Sequence, residues 1–121
     1  MASASSRMKL KAKRKDFDSL LMESIDEALT SLGESAKQSI YYHLEDKFKI
    51  SKKEIPRRIG DFANGIEKIF GLGAHFIEIL IMKKLYEKIG MSLEWNEDKE
   101  FIFVNYVEAA RKCFNREESE R

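Results

Sequence analysis

Apolar residues recur at steps of three and four through most of this chain, a period that belongs to α-helices and not to strands. The clearest stripe is Phe17, Leu20, Leu21, Ile25, Ala28, Leu29 and Leu32, with Asp18, Glu23, Asp26 and Glu27 on the other face. It predicts a first helix over about residues 16–32, ended by Gly33, a residue free to take positive φ. Ser35 with Gln38 three residues on has capping-box spacing and opens a second helix. The buried face of that helix holds Ile40, Tyr41, Leu44 and Phe48. A link this short forces an antiparallel or sharply angled pair.

Residues 49–55 read as a connector in which Ser51 and Glu54 cap a single turn. Pro56 fits the first position of a third helix, where its missing N–H costs nothing. Ile59, Phe62, Ala63, Ile66, Ile69 and Phe70 form that helix's stripe. Gly60 and Gly65 inside it each cost about 1 kcal/mol relative to Ala, so they signal close helix contact or local weakness. Gly71-Leu72-Gly73 then breaks the chain at a corner that requires positive φ.

A fourth helix, about residues 74–89, is apolar around most of its circumference. Phe76, Ile79 and Tyr86 extend the arc of Ile77, Leu80, Ile81, Met82, Leu85 and Ile89. Such a helix is central in a bundle, or it carries a second apolar face. Phe76, Ile79 and Tyr86 are therefore the candidate interface for a partner or for a second copy in a homodimer. Gly90 closes the helix. A polar, acidic link over residues 91–100 leads to a fifth helix from about 101 to 114, striped by Phe103, Val104, Val107, Ala110 and Phe114. A hairpin pairing residues 93–95 with 101–103 is the competing reading of that stretch.

The expected architecture is all-α: a single compact bundle of about five helices over residues 16–115. A flexible, disordered basic arm, residues 1–15, precedes it, and a charged tail, residues 116–121, follows. The expected core is Leu21, Ile25, Leu29, Ile40, Leu44, Ile59, Phe62, Ile66, Phe70, Ile77, Ile81, Leu85, Val104 and Val107. A chain of 121 residues, 43% hydrophobic, is long enough to bury such a core as one domain.

A net charge of +1 conceals an asymmetry. Arg7, Lys9, Lys11, Lys13, Arg14 and Lys15 give the arm +6, with no acid among them, which leaves −5 for the remainder. Within that remainder, Lys47, Lys49, Lys52, Lys53, Arg57 and Arg58 face only Glu54, a local +5. The six cations of the arm and Lys49, Lys52, Lys53, Arg57 and Arg58 of the loop are the candidate polyanion-binding residues. Their partner is nucleic acid or an acidic protein, in either case held through salt-sensitive contacts. The alternative is a solubilising tail and a solvated loop. A helix-turn-helix joint has three or four residues. The gap from Phe48 to Pro56 exceeds that unless residues 51–55 are themselves helical.

Little of the sequence reads as chemistry. Cys113 is the one cysteine, which excludes an internal disulfide framework and a multi-cysteine zinc site. His43 and His75 are the two imidazoles, on different helices and without an acidic cluster at metal spacing. The segment from Gly71 to Phe76 has half of a G-x-G-x-x-G but follows a helix, so the dinucleotide reading fails on context. No catalytic residue, cofactor or metal site is expected. No apolar run is long enough for a membrane span and no secretory leader is evident, so the expected compartment is a reducing cytoplasm.

Several segments carry a further signal. They include residues 24–29 (Ser-Ile-Asp-Glu-Ala-Leu), 31–35 (Ser-Leu-Gly-Glu-Ser), 40–45 (Ile-Tyr-Tyr-His-Leu-Glu) and 54–56 (Glu-Ile-Pro). They continue with 69–74 (Ile-Phe-Gly-Leu-Gly-Ala), 78–86 (Glu-Ile-Leu-Ile-Met-Lys-Lys-Leu-Tyr) and 105–107 (Asn-Tyr-Val). Across about residues 17–110 the chain resembles the fifth type of the Nitrosopumilus output domain, a small, mostly archaeal helical module. The resemblance implies a stand-alone copy of a module that elsewhere is joined to sensor or receiver domains and passes on a signal. It implies no catalytic residue, ligand or cofactor. The function expected is thus a non-enzymatic protein-interaction or signal-output module. A small nucleic-acid-binding or ribonucleoprotein-associated protein using the arm and the 47–58 loop is the alternative.

Overall fold

Asp16 starts the first helix because its carboxylate accepts the Ser19 N–H at 2.8 Å, satisfying one of the orphan donors of the first turn. The computed structural model describes residues 16–93 and 102–119. Among them the chain forms five α-helices: α1 (Phe17–Thr30), α2 (Glu34–Phe48), α3 (Ile59–Phe70), α4 (Ala74–Ile89) and α5 (Phe103–Ser119). A 3₁₀ turn (Lys52–Arg57) joins α2 to α3, and a second one (Gly71–Gly73) joins α3 to α4. No strand occurs among the described residues.

α4 is the central helix. It packs most extensively on α1 and also touches α3 and α5. The core is one cluster drawn from all five helices and the first 3₁₀ turn, with Leu21, Ile25, Phe62, Ile66, Ile81 and Leu85 at its centre. Of the expected core, Phe70 and Val104 are only half-buried. Ile50 and Ile55 are fully buried in what periodicity marks as a mere connector. Ile55 lies in the 3₁₀ turn, which repeats every three residues, and Ile50 follows the left-handed Lys49 that ends α2, so neither falls on an α-helical stripe.

Several boundaries differ from expectation, each for a local reason. α1 ends at Thr30, and Leu32, placed on its stripe by spacing, is 43% exposed in the turn. α2 begins at Glu34 with Gly33 (φ 111°) as its N-cap, so the Ser35–Gln38 box does not form; the Gln38 amide donates to Glu34 instead. Ser51 and Glu54 do form a capping box, on the 3₁₀ turn. Pro56 lies inside that turn and is buried, rather than opening α3. Gly65 marks close contact, since a Cβ there would lie 2.7 Å from Leu44 Cδ2. Gly60 marks none, since a Cβ there meets nothing within 4 Å.

At the α3–α4 corner, Gly71 carries the positive φ (59°), whereas Gly73 (φ −68°, ψ −14°) sits where any residue fits. Gly90 (φ 76°) ends α4 in a Schellman motif, with Met91 N–H donating to Tyr86 O at 2.9 Å and Gly90 N–H to Glu87 O at 3.3 Å. α5 continues past Asn115, through the first residues of the expected tail, to Ser119. The competing hairpin falls largely on residues 94–101, which lie outside the described residues, as do the arm, residues 1–15, and residues 120–121. Phe103, the last residue of that hairpin, is the first of α5.

Candidate functional site

The basic loop is built by its own charges. Lys49 ends α2 in the left-handed region (φ 56°), and its Nζ donates to Asp46 O at 2.8 Å. Arg58 fixes the same residue from the far side of the loop: Nη1 donates to Lys49 O at 2.7 Å and Nε to Asp61 at 3.0 Å. Lys52 lies 3.5 Å from Asp26 Oδ1 and 4.9 Å above the Tyr41 ring. Three of the five loop cations are thus committed to holding the loop against α1, α2 and α3. Lys53 and Arg57 are exposed, make no ion pair among the described residues, and edge a cavity of about 290 Å³ beside Asp16 and Asp18. An ion pair at this exposure contributes little stability. Its larger effect here is to cancel charge that a polyanion would otherwise meet.

Asp26 is the hub of this arrangement. It accepts the Tyr41 hydroxyl at 2.9 Å and Lys37 Nζ at 3.4 Å, and it faces Lys52. Partial burial works against its charge, but the Tyr41 hydroxyl and the two lysines outweigh it and hold the carboxyl below its usual range. Burial, together with the Asp26 carboxylate, pushes the Tyr41 hydroxyl well up.

The corner between α3 and α4 displays an apolar surface. Leu72 is 93% exposed and Phe76 is 83% exposed. Ile79, three residues on, is half-buried. Phe76 and Ile79, a step of three apart, lie on one side of α4, and Leu72 stands in the 3₁₀ turn that leads into it. Tyr86 does not join them: it is 4% exposed, and its hydroxyl donates to Tyr106 O at 2.8 Å. It serves the α4–α5 joint, so the candidate interface reduces to Phe76 and Ile79, with Leu72 added. One turn before the corner, Phe48 and Ile69 line a groove of about 270 Å³ with His43, Lys47 and Lys68.

Sequence reasoning also missed Glu78. It stands in an apolar run on α4, is 1% exposed, and its Oε2 has no hydrogen-bond partner. Burial and the facing Glu67 carboxylate push its carboxyl up to about 7. The signal was available in the sequence, as a carboxylate between Ile77 and Ile79 on the most apolar helix.

Other candidates stay apart. His43 is half-buried with its ring 5.9 Å from Tyr42, His75 is exposed on the first turn of α4, and Cys113 is a half-buried free thiol on α5. No group of three His, Cys, Asp or Glu side chains is set to hold a metal among the described residues. No described helix is long and apolar enough to cross a membrane. Comparison with models of known families, with curated proteins and with solved structures gives no match.

Proposed function

We propose that the domain is a non-enzymatic interaction module that docks an acidic, amphipathic segment of a partner protein on the Leu72–Phe76 corner. The observation that carries this reading is the pairing of Leu72 and Phe76, two large apolar side chains four residues apart and almost fully exposed. Single exposed apolar residues are ordinary, but two this exposed at one corner, Leu72 on the 3₁₀ turn and Phe76 on the first turn of α4, supply paired anchors for an apolar face of a partner. The chemistry of the flanks favours an acidic partner: Lys47 and Lys68 border the groove before the corner, and Lys83 is exposed four residues beyond Ile79. The resemblance to an archaeal output module supports the same class of role, with the input coming from a separate molecule.

The competing reading is nucleic-acid binding through the basic arm and loop. Of its five loop cations, Lys52 and Arg58 are already ion-paired within the domain, which leaves the charges of Lys49, Lys53 and Arg57 for such a contact. One experiment separates the two. The full chain and its Leu72→Ser/Phe76→Ser variant are used to capture partners from native lysate, with and without nuclease. A protein retained after nuclease and lost with the double variant supports docking at the corner. Nucleic acid that co-purifies equally with both forms supports the alternative and overturns the first reading.

A further inference from the structure

The side of the domain formed by α3, α4 and the start of α5 holds a cleft of about 560 Å³ whose chemistry the docking surface does not use. Asp61, Asn64 and Glu67 follow at steps of three along α3 and line one wall. His75 and Glu78 come from α4, one turn apart, and Ile102, Phe103 and Val104 close the third side. Gly60 leaves the entrance open, because no side chain stands where its Cβ would be.

The charges in this cleft are unbalanced. Asp61 is taken by Arg58 at 3.0 Å. Glu67 and Glu78 have no lysine or arginine within ion-pair distance among the described residues, and they face each other. Glu78 is buried with Oε2 free, the one buried side-chain oxygen or nitrogen among the described residues without a partner. Native interiors seldom leave such an atom unmet, because its desolvation is not offset. A hydrogen-bond donor supplied from outside, and preferably a cation, completes the site. A divalent metal is the poorer fit, since among the described residues no three His, Cys, Asp or Glu side chains converge closely enough to hold one. An alkylammonium suits better: three N–H donors meet Glu78, Glu67 and the Asn64 amide oxygen, while its methylene stem lies along Ile102 and Val104.

The geometry points to a binding site for a protonated primary amine in the α3–α4–α5 cleft, with Glu78 and Glu67 as its anionic anchors. Two sources share that chemistry: a free aliphatic amine, and a lysine side chain of the chain's own residues 9–15. Binding an ammonium requires ionised Glu78, so complex formation releases a proton from it. Among the described residues, the titratable groups that line the cleft with Glu78 are Asp61 and Glu67 from α3 and His75 from α4. With the Glu78 carboxyl up at about 7, affinity rises steeply between pH 5 and pH 8, by up to roughly a hundredfold.

The test is calorimetric titration of the full chain with 1,5-diaminopentane at pH 5, 6.5 and 8, with n-pentanol and magnesium chloride as comparison ligands. The expected result is amine binding at pH 8, lost towards pH 5, and no binding of the alcohol. Glu78→Gln should weaken it by about tenfold to a hundredfold, as expected for a hydrogen bond to a charged group. Glu67→Gln, at an exposed position, should fold normally and weaken it by less. A variant with Lys9, Lys11, Lys13 and Lys15 all changed to Gln separates the sources. Tighter diaminopentane binding in that variant shows that the chain's own lysines occupy the cleft, and unchanged binding assigns the cleft to a free amine. The proposal is overturned if no amine binds at 10 mM at pH 8, if magnesium binds as tightly, or if Glu78→Gln binds like the wild type. Leu72→Ser/Phe76→Ser leaves amine binding unchanged, so the cleft and the docking corner stand or fall separately.

Discussion

Substituting alanine at Gly71 and at Gly73 in separate variants tests how the central corner is held. Both changes remove backbone freedom from the unfolded chain, an effect of about 0.4–1 kcal/mol in favour of the fold. That contribution is nearly the same for both and cancels in the comparison. What remains is the folded conformation. Gly71 holds φ 59° and ψ −130°, a region closed to residues with a Cβ and costing of order 1–3 kcal/mol to occupy. Gly73 holds φ −68° and ψ −14°, and the nearest atom to a Cβ there is Phe70 Cβ at 3.8 Å, an ordinary contact. Gly73→Ala should therefore match or exceed the wild type, and Gly71→Ala should fall below Gly73→Ala by about 2 kcal/mol. For a domain near 100 residues that gap is roughly 10 °C in Tm. Thermal unfolding followed by circular dichroism at 222 nm measures it. Asn at position 71 should do no better than Ala, because this ψ lies far from the left-handed helical well that Asn favours. Equal Tm values for the two alanine variants would refute the reasoning, since they would show that the corner relaxes without strain.

Four further outcomes follow from other contacts. Between pH 4.5 and about 7 folded Glu78 binds a proton that the unfolded chain has released, so stability should fall as pH rises through that window, by about 3 kcal/mol. Urea unfolding at pH 5 and pH 8 should show this, and Glu78→Gln should flatten it. Asp26 acts in the opposite sense: its lowered carboxyl contributes stability above its unfolded value of 3.8, lost as the pH falls through the folded value. Tyr41→Phe removes the 2.9 Å bond to Asp26 and should cost about 1 kcal/mol by urea denaturation, because Lys37 and Lys52 still serve the carboxylate. Arg111→Met should cost about 1–2 kcal/mol, since Arg111 reaches Asp18 at 2.9 Å and the Pro56 carbonyl at 3.3 Å; Arg111→Lys should recover less than half, lacking the fork that spans both.

The helices were legible because their apolar stripes repeat with the period of the structure that buries them. The corner was legible because two glycines flank a single residue between two such stripes, although spacing does not say which glycine takes the positive φ. The Ser51–Glu54 box was readable as a local motif. The burial of Ile55 was not, because a 3₁₀ turn presents its side chains at a different angle, nor was that of Ile50, which follows the left-handed Lys49 that ends α2. The basic loop misled for another reason. Lys52 is matched by Asp26 on α1, far away in sequence, and linear charge runs do not reveal such partners. Phe76, Ile79 and Tyr86 looked equivalent because α4 is apolar nearly all round; only the positions of α1 and α5 decide that Tyr86 faces inward and Phe76 outward. Glu78 escaped notice because a carboxylate is read as a surface residue by default, and burial of one runs against that expectation.

α2 is attached more thinly than its neighbours, and this shapes how the domain opens. It buries only Ile40 and Leu44, whereas α1 buries six residues, and no side chain caps its first turn. A helix of this kind is a separate cooperative unit whose amide protons exchange through partial opening, at a free energy well below that of the whole domain. Amides of α2 should accordingly exchange with solvent deuterium orders of magnitude faster than those of α1 and α4. Each such excursion lifts Leu44 off Gly65 and parts Tyr41 from Asp26, so the seams of α2 with α3 and with α1 are where the native ensemble breathes.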